Sequence, residues 1–370
     1  MRISMHIAII WSLGCWALAG CVSPLDFPID ESVRYVVLSG VISNSPAQRD
    51  FELYLGGGLE DERTPVEASG RMMRDGEFWG ELIQVEPGRF MMPPQLQLEA
   101  GRSYHAEFET ADGDVFRSVP TEIPARVKTD SLSADWSTQV VGTNSFGGPK
   151  RGPVVDVYAH ITLPGEEKEE YYRWEVDEAW AFREAPKPVE LLEPGEPDRL
   201  QVCYLRRETS ENASTLLSSE DLGAVPVRVK VASQPVDEDF AEKHYFNVYL
   251  HSITEDAFRY YENIERLEAL QGNLYDEIPA GVRGNVYNAA DTGELVLGYV
   301  DISLADTIRL PVSAVSLGIP INPPCYPANG GSPCFSPPPR PNDTTTYYCR
   351  CWDCDKIYGF STLIRPDYWD

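Results

Sequence analysis

Apolar and polar residues alternate along this chain in short runs, and the runs are separated by Gly, Pro and Asp-rich breaks. The stretch 33–43 (VRYVVLSGVIS) is apolar and β-branched, which predicts a buried strand. Residues 51–55 (FELYL) alternate and stop at Gly56-Gly57-Gly58. Residues 103–110 alternate too, and Asp112-Gly113 predicts a hairpin turn into 115–118. Short strands at this spacing predict an immunoglobulin-like β-sandwich over 33–125. Strand patterns resume at 154–163, 171–176, 244–251, 295–302 and 308–312, predicting a second β-rich domain over 130–319. One helix is predicted at about 253–271. Ser252 and Glu255 have capping-box spacing, Ala257, Tyr261, Ile264 and Leu267 share a face, and Gly272 ends the run. That face should pack on a sheet. Pro and Glu crowd 184–199, which predicts a loop. Nine of the residues in 320–341 are Pro, so this part of the 320–370 tail can be neither helix nor central strand. The fold class is therefore mainly β.

Composition bounds the partners. The 370 residues carry 58 Asp plus Glu against 31 Lys plus Arg, a net charge of −27. Such a polyanion is repelled by nucleic-acid backbones and bare anionic lipid, so nucleic acid is not an expected partner. The 42% hydrophobic and 11% aromatic content still supplies a core. Single cores stop growing near roughly 250–300 residues, which favours two packed units.

The first twenty residues read as a signal peptide: Arg2, an apolar run from 7 to 19, then small residues. The run is too short to span a bilayer. Leu18-Ala19-Gly20-Cys21 has the form of a bacterial lipobox, which predicts cleavage before Cys21 and acylation of its thiol. Two or three acyl chains would hold the body at a membrane through a tether over 21–32. Val22 and Ser23 follow, with no Asp at the inner-membrane retention position, so the expected location is the outer membrane.

Apart from Cys15 and Cys21, six Cys remain: Cys203, Cys325, Cys334, Cys349, Cys351 and Cys354. An even number in an exported chain predicts disulfides, and no His lies near the tail cluster to complete a metal knuckle. Cys203 would tie the tail back to the body. His244 and His251, seven apart on one strand, point to opposite faces and cannot share a metal. There is no His-Glu-x-x-His helix and no Gly-x-Ser-x-Gly elbow. The acidic runs 60–62, 166–170 and 237–239 lack the pattern of a calcium loop and read as solvated. No metal, cofactor or catalytic set is nominated. Tyr171, Tyr172, Trp174, Trp180 and Phe182 are candidate binding aromatics, with a core strand of alternating Trp as the alternative. Asp130-Ser131, Asp306-Thr307 and Asp343-Thr344 resemble short O-glycosylation sequons.

Several segments in order carry a resemblance: VRYVVLSGVISN, GRSYHAEFETADGDVFRSVPTEIP, EEYYRWEV, SITEDAFRYYENIERLEALQGNLYDEIPAGVRGNVYN, ELVLGYVDIS and CWDCDKIYGFSTLIRPDYW. Together with the lipobox they resemble the Bacteroidota outer-membrane lipoproteins grouped as domain of unknown function 4249. The resemblance implies a non-enzymatic accessory partner of a TonB-dependent receptor, in uptake or envelope assembly. A stand-alone surface adhesin or glycan-binding lipoprotein is the alternative, with a hydrolase using an unrecognised carboxylate pair behind it. One departure touches surface export: 22–26 carries a single acid, Asp26, where such lipoproteins often cluster charge.

Overall fold

The computed structural model describes residues 34–46, 48–57, 63–163, 169–185, 201–208, 214–221, 226–269, 282–321, 351–352, 354 and 361–369. Its strands fall into four sheets. The first ten are β1 (Tyr35–Ile42), β2 (Arg49–Gly56), β3 (Thr64–Pro65), β4 (Ala68–Arg74), β5 (Glu77–Glu81), β6 (Ile83–Glu86), β7 (Arg89–Met91), β8 (Ser103–Thr110), β9 (Val115–Ser118) and β10 (Thr121–Glu122). Next come β11 (Ser131–Thr143), β12 (Pro149–Thr162), β13 (Tyr171–Arg183), β14 (Val202–Glu208), β15 (Ser214–Ser218), β16 (Pro226–Pro235) and β17 (His244–Ile253). The helix α1 (Glu255–Ala269) follows, then β18 (Val286–Asn288), β19 (Val296–Leu297), β20 (Val300–Ile302), β21 (Leu304–Val312) and β22 (Ser361–Thr362).

The N-terminal unit is a sandwich. One sheet runs β19-β1-β2-β7-β6 and the other β18-β9-β8-β4-β5. Inward residues of both meet in one core, with Phe108 edge-on to Phe51 at 5.5 Å and to Phe90 at 5.0 Å. The hairpin at Asp112-Gly113 forms as the sequence predicts, with Gly113 at φ 93° and its N–H donating to the Thr110 carbonyl at 3.1 Å. The sequence places residues 286–302 in the second domain, but they pair with the first. Here β18 adds to β9, and β19 and β20 add in parallel to β1. Strand pairing is long-range, and nothing in a short apolar run names its partner.

The second unit packs the sheet β11-β12-β16 on the sheet β21-β17-β13-β14-β22. Val155, Val157, Ala159 and Ile161 of β12 meet Tyr172, Trp174 and Val176 of β13 and Phe246, Val248 and Leu250 of β17. All ten residues of β17 are buried, including His244, Asn247, His251 and Ser252. A strand covered on both faces needs partners for each polar group. The neighbouring strand β13 supplies most of them: Glu178 bonds His244 at 3.0 Å, and Asp177 accepts from Asn247 and from the Tyr249 hydroxyl.

Helix α1 forms, and the predicted face is its less exposed one: Ala257 is buried, and Tyr261, Ile264 and Leu267 are partly so. It packs by Phe258 on Tyr171 at 5.0 Å. Its cap is Thr254, not Ser252. The Thr254 hydroxyl accepts from the Ala257 N–H at 3.3 Å, whereas Ser252 belongs to β17 and its hydroxyl accepts from the Val127 N–H. Strand pairing claims Ser252 before the helix can. Among the described residues no helix is long and apolar enough to cross a membrane.

Candidate functional site

The site is a cleft of about 540 Å³ between the two units. Strand β13 builds its floor. The strand's alternation sends Tyr172, Trp174 and Val176 into the second core and Arg173, Glu175 and Asp177 toward the first unit. The register puts His251 opposite Arg173, Tyr249 opposite Glu175 and Asn247 opposite Asp177. Polar side chains therefore stack in matched rows on one face of the sheet.

Arg173 is the hub. Its side chain and that of Asp301 are each only 3% exposed, and its guanidinium donates to Asp301 Oδ2 at 2.9 Å and to Glu175. Its plane lies 4.1 Å from the Tyr261 ring centre, and the Tyr261 hydroxyl donates to Asp301 at 3.1 Å. Gln48, from the turn between β1 and β2, donates to Glu175. Burial alone would push the Glu175 carboxyl up, but Arg173 and then the hydrogen bond from His251 outweigh it and hold the group at about 2. Burial pushes the Tyr261 hydroxyl well above its ordinary value, so it donates as a neutral phenol. These contacts span three sources: Asp301 on β20 and Gln48 belong to the first unit, Arg173 and Glu175 to the second, and Tyr261 to α1. Only Ser303 separates β20 in one sheet from β21 in the other, and its hydroxyl meets His251 Nδ1 at 2.9 Å. The ion-pair hub sits where the chain steps from one unit to the other.

Asp177 is saturated in a different way. It accepts from Arg206 Nε at 3.0 Å, Asn247 at 2.5 Å and the Tyr249 hydroxyl at 2.8 Å. The rest of the cleft is more open. Asp50 and Glu52 occupy alternate positions on β2 and pair with Arg89 and Arg63, while Arg206 is 49% exposed. Tyr299 enters because Gly298 takes φ 100° and kinks the chain between β19 and β20. A Cβ on Gly298 would sit 2.2 Å from the Leu38 carbonyl oxygen, so only glycine permits this approach. Tyr299 then stacks on Tyr260 at 4.2 Å.

The predicted aromatics do not form this site. Tyr172, Trp174, Trp180 and Phe182 are buried in the cores, and Tyr171 packs partly buried under α1. The alternating-core reading is the correct one, because the strand is covered on both faces. Trp180 stacks on His244, which bonds Glu178 at 3.0 Å in the apolar interior. Sequence reasoning passed over Arg173, Glu175, Asp177 and Tyr260, although the polar half of YYRWEVDE was a visible signal. Cys203 bonds Cys354 with Cα atoms 6.1 Å apart, and Cys351 is also disulfide-bonded. The buried Glu184 accepts from the Cys354 N–H at 2.9 Å, which helps to seat the tail on β13. Cys21, Cys325, Cys334 and Cys349 lie outside the described residues, as do the acidic runs 60–62 and 166–168 and the sequon at Asp343. Asp306 is held by Arg126 at 2.6 Å and by the Thr129 N–H at 2.8 Å, and Thr307 lies within the paired strand β21. Asp237 accepts from the Asp239 N–H and caps a single helical turn. Among the described residues no three His, Cys, Asp or Glu converge as a metal-binding group.

No curated protein and no solved structure matches the chain. A family model spans residues 22–309, a stretch that holds every cleft residue and leaves out the cysteine tail. With well over half its length matched, the chain belongs to the family described as Domain of unknown function (DUF4249).

Proposed function

We propose that this chain is a lipid-anchored accessory binding protein of the outer membrane that docks on a TonB-dependent barrel and has no enzymatic activity of its own. The lipobox at Cys21 supports the anchor. The observation that carries the docking is the long hairpin of β11 and β12. Its turn presents Phe146 at 95% exposure, and Trp136 and Val140 on β11 are 47% and 56% exposed. Isolated exposed apolar residues are ordinary, but two on β11 and one in the adjoining turn, all on one hairpin of a three-stranded sheet, form a partner-sized patch. Among the described residues strand β11 pairs only with β12, so its other edge offers backbone groups as well.

Mild detergent extraction followed by affinity capture of the full chain tests this reading. A large barrel should co-purify, and Phe146→Ser with Val140→Thr should reduce its yield at unchanged thermal stability. Recovery of the wild-type chain as a free monomer would overturn the docking. The anchor has a separate readout: Cys21→Ala should release the protein from membranes, and full retention would refute acylation.

A further inference from the structure

We infer that the cleft between the two units is a binding site for a neutral, hydroxyl-rich ligand, an oligosaccharide. The size fits, since small-molecule sites are typically about 300–1,000 Å³. The chemistry of the floor narrows the class. Arg173 is buried, yet its Nε finds no hydrogen-bond partner among the described residues, and the Glu175 carboxylate lies beside it. Buried donors without partners are costly, so a group that reaches this point is rewarded for accepting from Arg173.

The acceptor must also tolerate Glu175. A ligand carboxylate accepts but would face the Glu175 charge. A ligand ammonium donates to Glu175 but cannot satisfy Arg173 and meets its positive charge. A hydroxyl does both, accepting from one neighbour and donating to the other. The rim repeats the pattern on a wider scale. Asp50 and Glu52 present exposed acceptors from the first unit, and Arg206 presents donors from the second. Alternating donors and acceptors suit a ligand with several hydroxyls. The stacked pair of Tyr260 and Tyr299 adds a flat aromatic wall against which the C–H face of a sugar ring packs. Asp177 takes no part in ligand contact, because its oxygens are filled by Arg206, Asn247 and Tyr249. This site stands whether or not a barrel partner exists.

The test is calorimetric titration of the full chain in detergent. The probes are a panel of neutral tri- and tetrasaccharides of glucose, galactose, mannose and N-acetylglucosamine, with agmatine as the cation and citrate as the anion. At least one oligosaccharide should bind with a Kd of about 1 mM or tighter. Glu52→Gln lies at the exposed edge of the cleft and should keep the wild-type Tm, whereas Tyr260→Ala gives up its stacking on Tyr299 and should lower Tm by a few degrees. Each should weaken that binding by about tenfold. Three outcomes would overturn the inference: no oligosaccharide binds, both variants bind as the wild type does, or agmatine or citrate binds more tightly than every sugar.

Discussion

Replacing Arg173 with Met removes the charge of the hub while keeping a side chain of similar length. Asp301 then keeps the Tyr261 hydroxyl, and Glu175 keeps Gln48 and His251, but neither carboxylate retains its guanidinium. Breaking a buried pair from one side costs about 3–5 kcal/mol, because the remaining charge is left uncompensated in a poorly solvated place. The pH profile adds an independent reading. Glu175 titrates at about 2 in the folded chain against about 4.3 for a free Glu. Its folded pKa is depressed, so its contribution is complete above about pH 5 and disappears as pH falls toward 2. The difference corresponds to about 3 kcal/mol at neutral pH. Urea unfolding of wild type and Arg173→Met at several pH values between 7 and 2.5 measures both effects. The variant should lose about 3 kcal/mol or more at pH 7 and show a flattened acid limb. Adding Asp301→Asn should restore part of the loss, because the pair is coupled. A loss under about 1 kcal/mol at pH 7, or an acid limb as steep as the wild type's, would refute the hub.

Three further outcomes follow from particular contacts. Cys203→Ser opens a bond that bridges 151 positions, and should cost about 2–5 kcal/mol by thermal unfolding under non-reducing conditions. Gly298→Ala drives a methyl against the Leu38 carbonyl at a positive φ, and should cost about 3 kcal/mol and displace Tyr299, measured by Tm and near-ultraviolet circular dichroism. Burial, and then the charge of Asp237, pushes the Asp239 carboxyl up to about 6. A raised acid favours the folded state below its free value near 4 and loses that contribution as pH rises past 6. Asp239→Asn should therefore gain about 3 kcal/mol over the wild type at pH 8 and nothing at pH 4, compared by denaturant titration.

Local rules carried much of the fold. The alternation in 103–110 and the Asp112-Gly113 turn became β8, β9 and their hairpin, and the face of Ala257 and Tyr261 became the less exposed side of α1. Both depend on residues within a few positions of one another. The strand pattern in 171–176 was also legible, since β13 covers it. What those six residues meant was not, because the same alternation serves an exposed aromatic surface or a doubly covered strand. Only the arrival of another layer on the second face separates the two.

The sequence by itself determined the mainly β class and the pull of Cys203 toward the tail. Each rests on period, composition or short spacing. The tertiary structure alone decided that residues 286–302 cross back to the first sandwich, that Gln48, Arg173, Tyr261 and Asp301 meet at one point, and that Gly298 frees Tyr299 to line a cleft. Arg173 and Asp301 are 128 positions apart. A charge pair at that separation leaves no trace in periodicity, because its energy comes from desolvation that exists only once both sheets have closed over it.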